Sequence, residues 1–328
     1  MTAALGTLRP ILSMVRLHLS ARATEPLHLP EYAGSMLRGA FGHALRGLAL
    51  MPHENNEPCA LHETCPYCQI FATHTLHARH HQGVSQVPQP YIIEPPALGE
   101  RILPAGECFG FGLVLIERAL DQLPLVILAF ERGLKKGLGK SLTPCTLLSV
   151  QQQDRDLMVW GSEERKIRDV DLTLPAPAGV GQEVTLRFKT PLRLQCQGRL
   201  VGKRELNART LLVGLARRYQ MLADIHLGAR APQQDFKAID DSACALTLDC
   251  SAMQWFDWGR FSNRQQKEMM LGGLVGDISL RGDLRPFEDL LHLGQWFHVG
   301  KETTFGLGHY ELVQGIVTTH GTLSTLSS

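Results

Sequence analysis

Residues 298–312 read HVGKETTFGLGHYEL, and residues 135–150 read KKGLGKSLTPCTLLSV. Both follow a segment of helical character and lead into a strand-like one, so one corner is written once in each half of the 328-residue chain. The first of them in the chain ends as a nucleotide-triphosphate loop does, in Gly139, Lys140 and Ser141. That loop needs a glycine where Leu134 stands, with Gly133 one residue early, and it needs a strand before and a helix after, the reverse of the order here. A helix C-cap and turn, in which glycine supplies positive φ, accounts for both phrases. The later phrase adds Lys301, Thr303 and Thr304 beside Gly306 and Gly308. Backbone N–H groups bared by glycine next to a cation and hydroxyls suit phosphate contacts, with a nucleic-acid backbone the natural ligand. Lys135, Lys136 and Lys140 bring charge to the earlier phrase in a less specific pattern.

Outward from these corners, each half has the same order of elements. ILSMVRLHLS alternates apolar and polar residues as a half-buried strand does. YAGSMLRGAFGHALRG reads as a helix, PYIIEPP and ECFGFGLVLIE as strands, ALDQLPLVILAFERGL as a helix, and TPCTLLSV as the closing strand. The second half repeats this with EVTLRFKTPLRLQ, a long helix whose Leu211, Leu215, Tyr219 and Leu222 share a face, CALTLDC, LVGDISLRG, FEDLLHLGQWFH and HYELVQGIV. A β-α-β-β-α-β unit is ferredoxin-like. The expectation is therefore an α+β protein of two tandem ferredoxin-like domains, related to RNA-recognition modules. They span residues 1–152 and 183–317, with a polar, then Pro/Gly-rich linker at 153–182, a Cys/His-rich insertion at about 53–90, and a flexible tail at 318–328.

Hydrophobic residues at 44% and charged residues at 20% support a chain that is folded almost throughout. The longest apolar run, LPLVILAF from Leu123, is far below the roughly 20 residues of a membrane span, and the N-terminus lacks a signal-peptide pattern, so a cytoplasmic protein is expected. A formal net charge of +1 gives no global attraction to polyanions, and any such site has to be local. Five of the eight cysteines, Cys108, Cys145, Cys196, Cys244 and Cys250, are expected as reduced core residues. The other three, Cys59, Cys65 and Cys68, form a C-x5-C-x2-C array with His62 inside it and His74, His77, His80 and His81 after it. Three thiolates and an imidazole suit a closed structural zinc site. Free thiols in a surface insertion fit the same spacing.

The C-terminal third, from TPLRLQCQG through RFSNRQQKEMMLGGLVGDISL to HVGKETTFGLGHYEL, closely resembles the CRISPR repeat-RNA-processing endoribonucleases of the RAMP superfamily, whose hallmark is a C-terminal glycine-rich loop. The first half resembles them more loosely, through YAGSMLRGAFGHALRG, PYIIEPP and AFERGLKKGLGK. The resemblance implies binding of a CRISPR repeat and one cut per repeat without a catalytic metal, the ribose 2′-hydroxyl attacking the adjacent phosphate to leave a 2′,3′-cyclic phosphate and a 5′-hydroxyl. It also implies a RAMP subunit that only binds or caps the repeat in a CRISPR effector complex as the alternative. A zinc-dependent nuclease built on the histidine-rich insertion is a remoter one.

The family usually places a catalytic histidine in or beside the first helix. At about 100° per residue, Leu37, Phe41, Ala44, Leu45 and Leu48 form one stripe there, with Tyr32, His43 and Arg46 roughly opposite beside Gly39 and Gly42. His43 is the expected general acid or base, Tyr32 the group that orients the attacking hydroxyl, and Arg46 or Arg38 the phosphate charge. No lysine precedes Lys135, so the family's tyrosine-histidine-lysine spacing is not reproduced. Arg260 and Arg264, on an expected loop with Trp255, Phe256 and Trp258, offer cations and rings for unpaired bases, and an ordinary strand-loop rim has the same composition.

Overall fold

The structure is a computed structural model that describes residues 12–49, 59–72, 87–177, 179–262 and 267–313. Arg264, His74, His77, His80, His81 and the 318–328 tail lie outside the described residues.

In the first domain, β1 (Met14–Ala23), β2 (Leu27–Leu29), α1 (Gly34–Gly47), α2 (Pro66–Ile70), β3 (Tyr91–Glu94), β4 (Arg101–Leu103), β5 (Cys108–Ile116), α3 (Leu123–Lys136), β6 (Cys145–Gln152) and β7 (Leu157–Gly161) follow in chain order. An antiparallel sheet runs β3-β5-β1-β6-β7, and β2 pairs with β4. Without β7 this is the strand order of a ferredoxin-like unit. Val15, Leu17, Leu19, Ala21 and Ala23, the alternate residues of β1, pack in one core with Leu37, Phe41 and Leu45 of α1 and Val126, Ile127, Phe130 and Leu134 of α3. Burying each large aliphatic or aromatic side chain contributes about 1.5–3 kcal/mol before chain entropy is set against it. The period-2 strand and period-3.6 helices therefore have one low-energy way to meet.

The second domain consists of β8 (Glu183–Leu192), the short hairpin β9 (Gln195–Cys196) and β10 (Arg199–Leu200), α4 (Ala208–His226), α5 (Phe236–Cys244), β11 (Thr247–Asp249), β12 (Gln254–Ser262), β13 (Lys267–Arg281), α6 (Glu288–Phe297) and β14 (Tyr310–Val313). Its sheet runs β11-β13-β8-β14, with β12 also on β13. Asn207 and Thr210 form a capping box that starts α4. The expected face of that helix, Leu211, Leu215, Tyr219 and Leu222, is fully buried. No helix among the described residues is long and apolar enough to cross a membrane.

The two glycine phrases are equivalent corners, each from the last helix of a domain to its last core strand. Gly137 has φ +119° and Gly308 φ +71°, and a Cβ at either would overlap a carbonyl, that of Leu142 or of Val299. Glycine is required there on both counts.

Three local expectations are corrected. The stretch placed in the linker contains β7, which pairs with β6 as the fifth strand of the first sheet. The aromatic segment expected as a loop is β12, paired with β13 along its length, so Trp258 is buried and Trp255 is exposed. Of the five cysteines expected in the core only Cys145 is buried, while Cys108, Cys196 and Cys244 are exposed and Cys250 is half-buried, at strand and helix ends.

Candidate functional site

The loop from His298 to His309 lies between the two domains and is held by both. Its first residue follows the C-terminus of α6, whose last carbonyls are capped by cations. Arg218 Nε donates to the Phe297 carbonyl at 2.7 Å, and Arg16 donates to that of Gln295, the favourable placement of positive charge at a helix C-terminus. Further along, Thr190 on β8 donates to the Gly306 carbonyl at 2.6 Å and accepts from the His309 N–H at 2.9 Å. Gly308 N–H donates to the Pro191 carbonyl at 3.0 Å. From the first domain, the Tyr32 hydroxyl donates to the Phe305 carbonyl at 2.6 Å.

Under the loop, a single carboxylate oxygen gathers the cations and imidazoles that flank it. Glu94, the last residue of β3, presents Oε1 at 2.9 Å from His298 Nε2, 3.1 Å from the Arg16 guanidinium and 3.9 Å from His309 Nε2. The rings of His298 and His309 stack in parallel with centroids 4.7 Å apart. Burial alone would raise the Glu94 carboxyl, but Arg16, His309 and His298 outweigh it and hold the group well below the usual carboxylate range. Burial pushes His309 down to about 3 against the pull of Glu94, and lowers His298 in the same way. At neutral pH the buried carboxylate is ionised and paired with the Arg16 guanidinium. Glu94, His298 and His309 have metal-ligand spacing, yet the Arg16 guanidinium already neutralises the shared oxygen where a cation would sit.

The residues expected from the sequence divide into two groups. His43 and Arg46 are exposed on α1, and Lys135, Lys136 and Lys140 are exposed at the end of α3 and in its corner. Lys301 and Thr304 are half-buried at the outer edge of the loop. The start of α1 lies between the two glycine corners: a Cβ on Gly139 would sit 3.6 Å from Met36 Sδ, and one on Gly34 would overlap the Phe305 carbonyl. Gly39 has open space around it. These groups share the surroundings of one helix. Arg260 lies on β12 opposite Met269 of β13.

The other group is turned inward. Tyr32 is buried at 4% exposure, tilted against Trp258 and committed to Phe305, so it braces the two domains and does not face a substrate hydroxyl. Thr303, Gly306 and Gly308 are buried, and the Gly306 and Gly308 N–H groups are spent on Thr303 and Pro191. Gly306 thus serves close packing against the first domain, at Ile93 and Glu94, while Gly308 serves the turn within the second domain, against Val299. Gly42, expected to admit a ligand, instead admits the ring of Phe71. Arg38 is held by Tyr91, whose hydroxyl accepts from its Nε at 3.1 Å, and lies over the rings of Phe71 and Phe305 at 4.3 and 4.9 Å.

Cys59, Cys65 and Cys68 converge, their Sγ atoms all within 4.8 Å of one another. His62 is not part of that group, and its Nε2 lies 4.0 Å from the Glu63 carboxylate. Burial and the neighbouring thiols push the Cys68 thiol well up.

Residues 186–310 match the family model described as CRISPR-associated endoribonuclease Cas6, and residues 12–172 match a model described as an N-terminal domain. No curated protein matches the sequence. Among solved structures, a partial Cas6-RT-Cas1–Cas2 complex is similar over 97% of this chain at 13% identity, with a TM-score of 0.57. The chain spans 49% of that protein's length, and 30% of its counterpart in a fuller complex. A Cas6 product complex is similar over 92% of this chain and 100% of its own, at 15% identity and a TM-score of 0.53. Cas6 from Thermus thermophilus gives 15% identity and a TM-score of 0.50, over 92% and 99%. At such identities the likeness is one of fold: tandem ferredoxin-like domains.

Proposed function

We propose that the chain, whose residues 186–310 match the family model described as CRISPR-associated endoribonuclease Cas6, is a CRISPR repeat-processing endoribonuclease of the RAMP superfamily that binds CRISPR repeat RNA and cuts it by a metal-independent transesterification. The observation that carries this reading is the placement of α1, whose exposed His43 and Arg46 share a helix that starts between the two glycine corners. The RNA backbone runs past Lys301 and Thr304 on one side and Lys135, Lys136 and Lys140 on the other. A base removes the proton of the ribose 2′-hydroxyl, O2′ bonds to the adjacent phosphorus, and the P–O5′ bond breaks. O5′ leaves with a proton from an acid, so the products are a 2′,3′-cyclic phosphate and a 5′-hydroxyl with no water consumed. His43 takes one of the two proton-transfer roles, and Arg46 faces the charge that develops on the phosphorane. Tyr32 is assigned no part in proton transfer.

A separate structural zinc ion, held by Cys59, Cys65 and Cys68 with His62 as the fourth donor after a side-chain rotation, completes the reading. A closed four-ligand site has no open position for a reacting group.

The test is to incubate the protein with the repeat of its own genomic array, with and without EDTA, and to map the product ends. Cyclic phosphate formed in EDTA is the expected result, and cleavage abolished by EDTA would overturn it. The commitment of Tyr32 to Phe305 favours one second reading, a RAMP subunit that caps the repeat without cutting it in an effector complex. Tight binding with no product under any condition would establish that alternative.

A further inference from the structure

The cysteine segment meets α1 through the rings of Phe71 and Tyr67. The turn that carries Cys59 closes through His62 N–H to the Cys59 carbonyl at 3.0 Å and Cys65 N–H to that of Leu61 at 2.7 Å, and α2 begins at Pro66. This helix has five residues, far fewer than a helix needs to hold itself in water. In the described segment 59–72 only Cys65, Cys68 and Ile70 are buried. With Tyr67 and Phe71 only half-buried against the first-domain core, apolar burial offsets little of the entropy of ordering the segment. A cross-link is the missing contribution. Three sulfurs cannot all pair as disulfides, whereas one tetrahedral ion satisfies them together. Zn–S bonds of about 2.3 Å set ligand sulfurs about 3.8 Å apart, and the observed limit of 4.8 Å is closed by small side-chain rotations.

Phe71 caps the C-terminus of α2 and, with Ile70 in the first-domain core, Tyr67 packed against it and α2 against residues 117–119, anchors the segment to the rest of the molecule. Its ring fills the space left by Gly42 of α1, stacks on Tyr67 at 5.5 Å and on Tyr91 at 5.9 Å, and meets Phe41 edge-on at 6.2 Å. The Arg38 guanidinium lies 4.3 Å from its centroid, with Phe305 of the glycine-rich loop 4.9 Å away as the other ring. Arg38 is therefore held in an aromatic clamp with one jaw from the cysteine segment and one from the loop. Its hydrogen bond among the described residues is through Nε, to Tyr91. That leaves the terminal nitrogens for a bidentate grip on a phosphate.

We infer that the ion held by Cys59, Cys65 and Cys68 sets the position of Arg38 through Phe71, so that zinc governs RNA affinity at a distance while the cleavage chemistry uses no metal. This rests on the RNA-binding reading above and adds a regulator to it. Stripping the ion frees α2, withdraws one jaw of the clamp and lets the Arg38 guanidinium swing away from the helix face that meets the RNA.

The test uses the full chain and its array repeat made non-cleavable with a 2′-deoxy residue at the cut site. Zinc content is read by elemental analysis, and cobalt replacement by its thiolate charge-transfer bands. We expect one zinc per chain, lost in Cys65→Ser with Cys68→Ser. We expect RNA affinity to fall about tenfold, or 1.4 kcal/mol, in metal-free protein, in Phe71→Ala and in Arg38→Ala. Phe71→Ala keeps its zinc, which guards against loss of affinity through misfolding of the cysteine variants. Combining Phe71→Ala with Arg38→Ala should cost no more than either alone. A protein that carries no metal and gives no cobalt–thiolate band overturns the ion. Zinc present, with affinity unchanged on its removal or in Phe71→Ala, overturns the coupling. Wild type that retains zinc yet binds no repeat RNA overturns the RNA reading itself.

Discussion

His298 Nε2 lies 2.9 Å from Glu94 Oε1, although the two residues are 204 apart in sequence and belong to different domains. With Arg16 on the same oxygen, this contact ties the start of the glycine-rich loop to the end of β3. Removing the carboxylate leaves Arg16 as a buried cation without its partner, and losing one member of a buried pair costs about 3–5 kcal/mol. Glu94→Ala should therefore lower stability by that order in urea unfolding, and Glu94→Gln by less, because it keeps an acceptor. A Glu94→Ala loss below about 1 kcal/mol, the range of exposed pairs, would show that the contact is not a latch.

The same cluster makes acid destabilising. His309 titrates near 3 in the folded protein, and His298 is lowered too, so unfolded chains bind protons to these rings below about 6.5 before the native state does. Depressed folded values mean that the stability is fully present above the unfolded value and is lost as pH falls. Glu94, also depressed, adds a further loss below about 4.5. The melting temperature should be level above about pH 7 and fall steadily toward pH 4, with a smaller fall in His309→Gln. A melting temperature that does not change from pH 7 to pH 4 would contradict these lowered imidazoles.

Lys301 is the half-buried cation at the outer edge of the loop. Lys301→Ala should weaken repeat RNA binding at low salt and reduce the slope of log affinity against log salt by about 0.7–1, the signature of one lost phosphate contact. Fluorescence anisotropy from 50 to 300 mM salt measures it, and an unchanged slope removes Lys301 from the interface.

His43 is exposed on α1. His43→Ala should slow single-turnover cleavage by about 10²–10⁴-fold, the usual worth of a positioned acid or base, with RNA affinity within twofold of wild type. Cleavage at the wild-type rate would move the acid or base elsewhere.

How far the fold was legible follows from the range of the forces involved. The alternation in β1 and β8, the apolar stripes of α1 and α4, and the glycine corners at Gly137 and Gly308 are local signals, because side-chain period and positive φ are set within a few residues. β7 escaped because an edge strand with a polar approach has little apolar burial to announce it. β12 escaped because its pairing is supplied by β13. The C-x5-C-x2-C array was legible for the same reason as the corners: one turn and a short helix bring its sulfurs together.

The amino-acid sequence alone determined the two-domain α+β plan, the equivalence of the glycine corners, the cysteine cluster and the exposed cations and histidine of α1. Tertiary structure alone decided what each conspicuous residue touches. Tyr32 went to a carbonyl 273 residues away, Gly42 to the ring of Phe71, and Glu94, a lone charge at the end of an apolar strand, to His298 and Arg16. A side chain's chemistry is written at its own position, but its partner is chosen by packing two domains together, and that choice depends on distances no local pattern encodes.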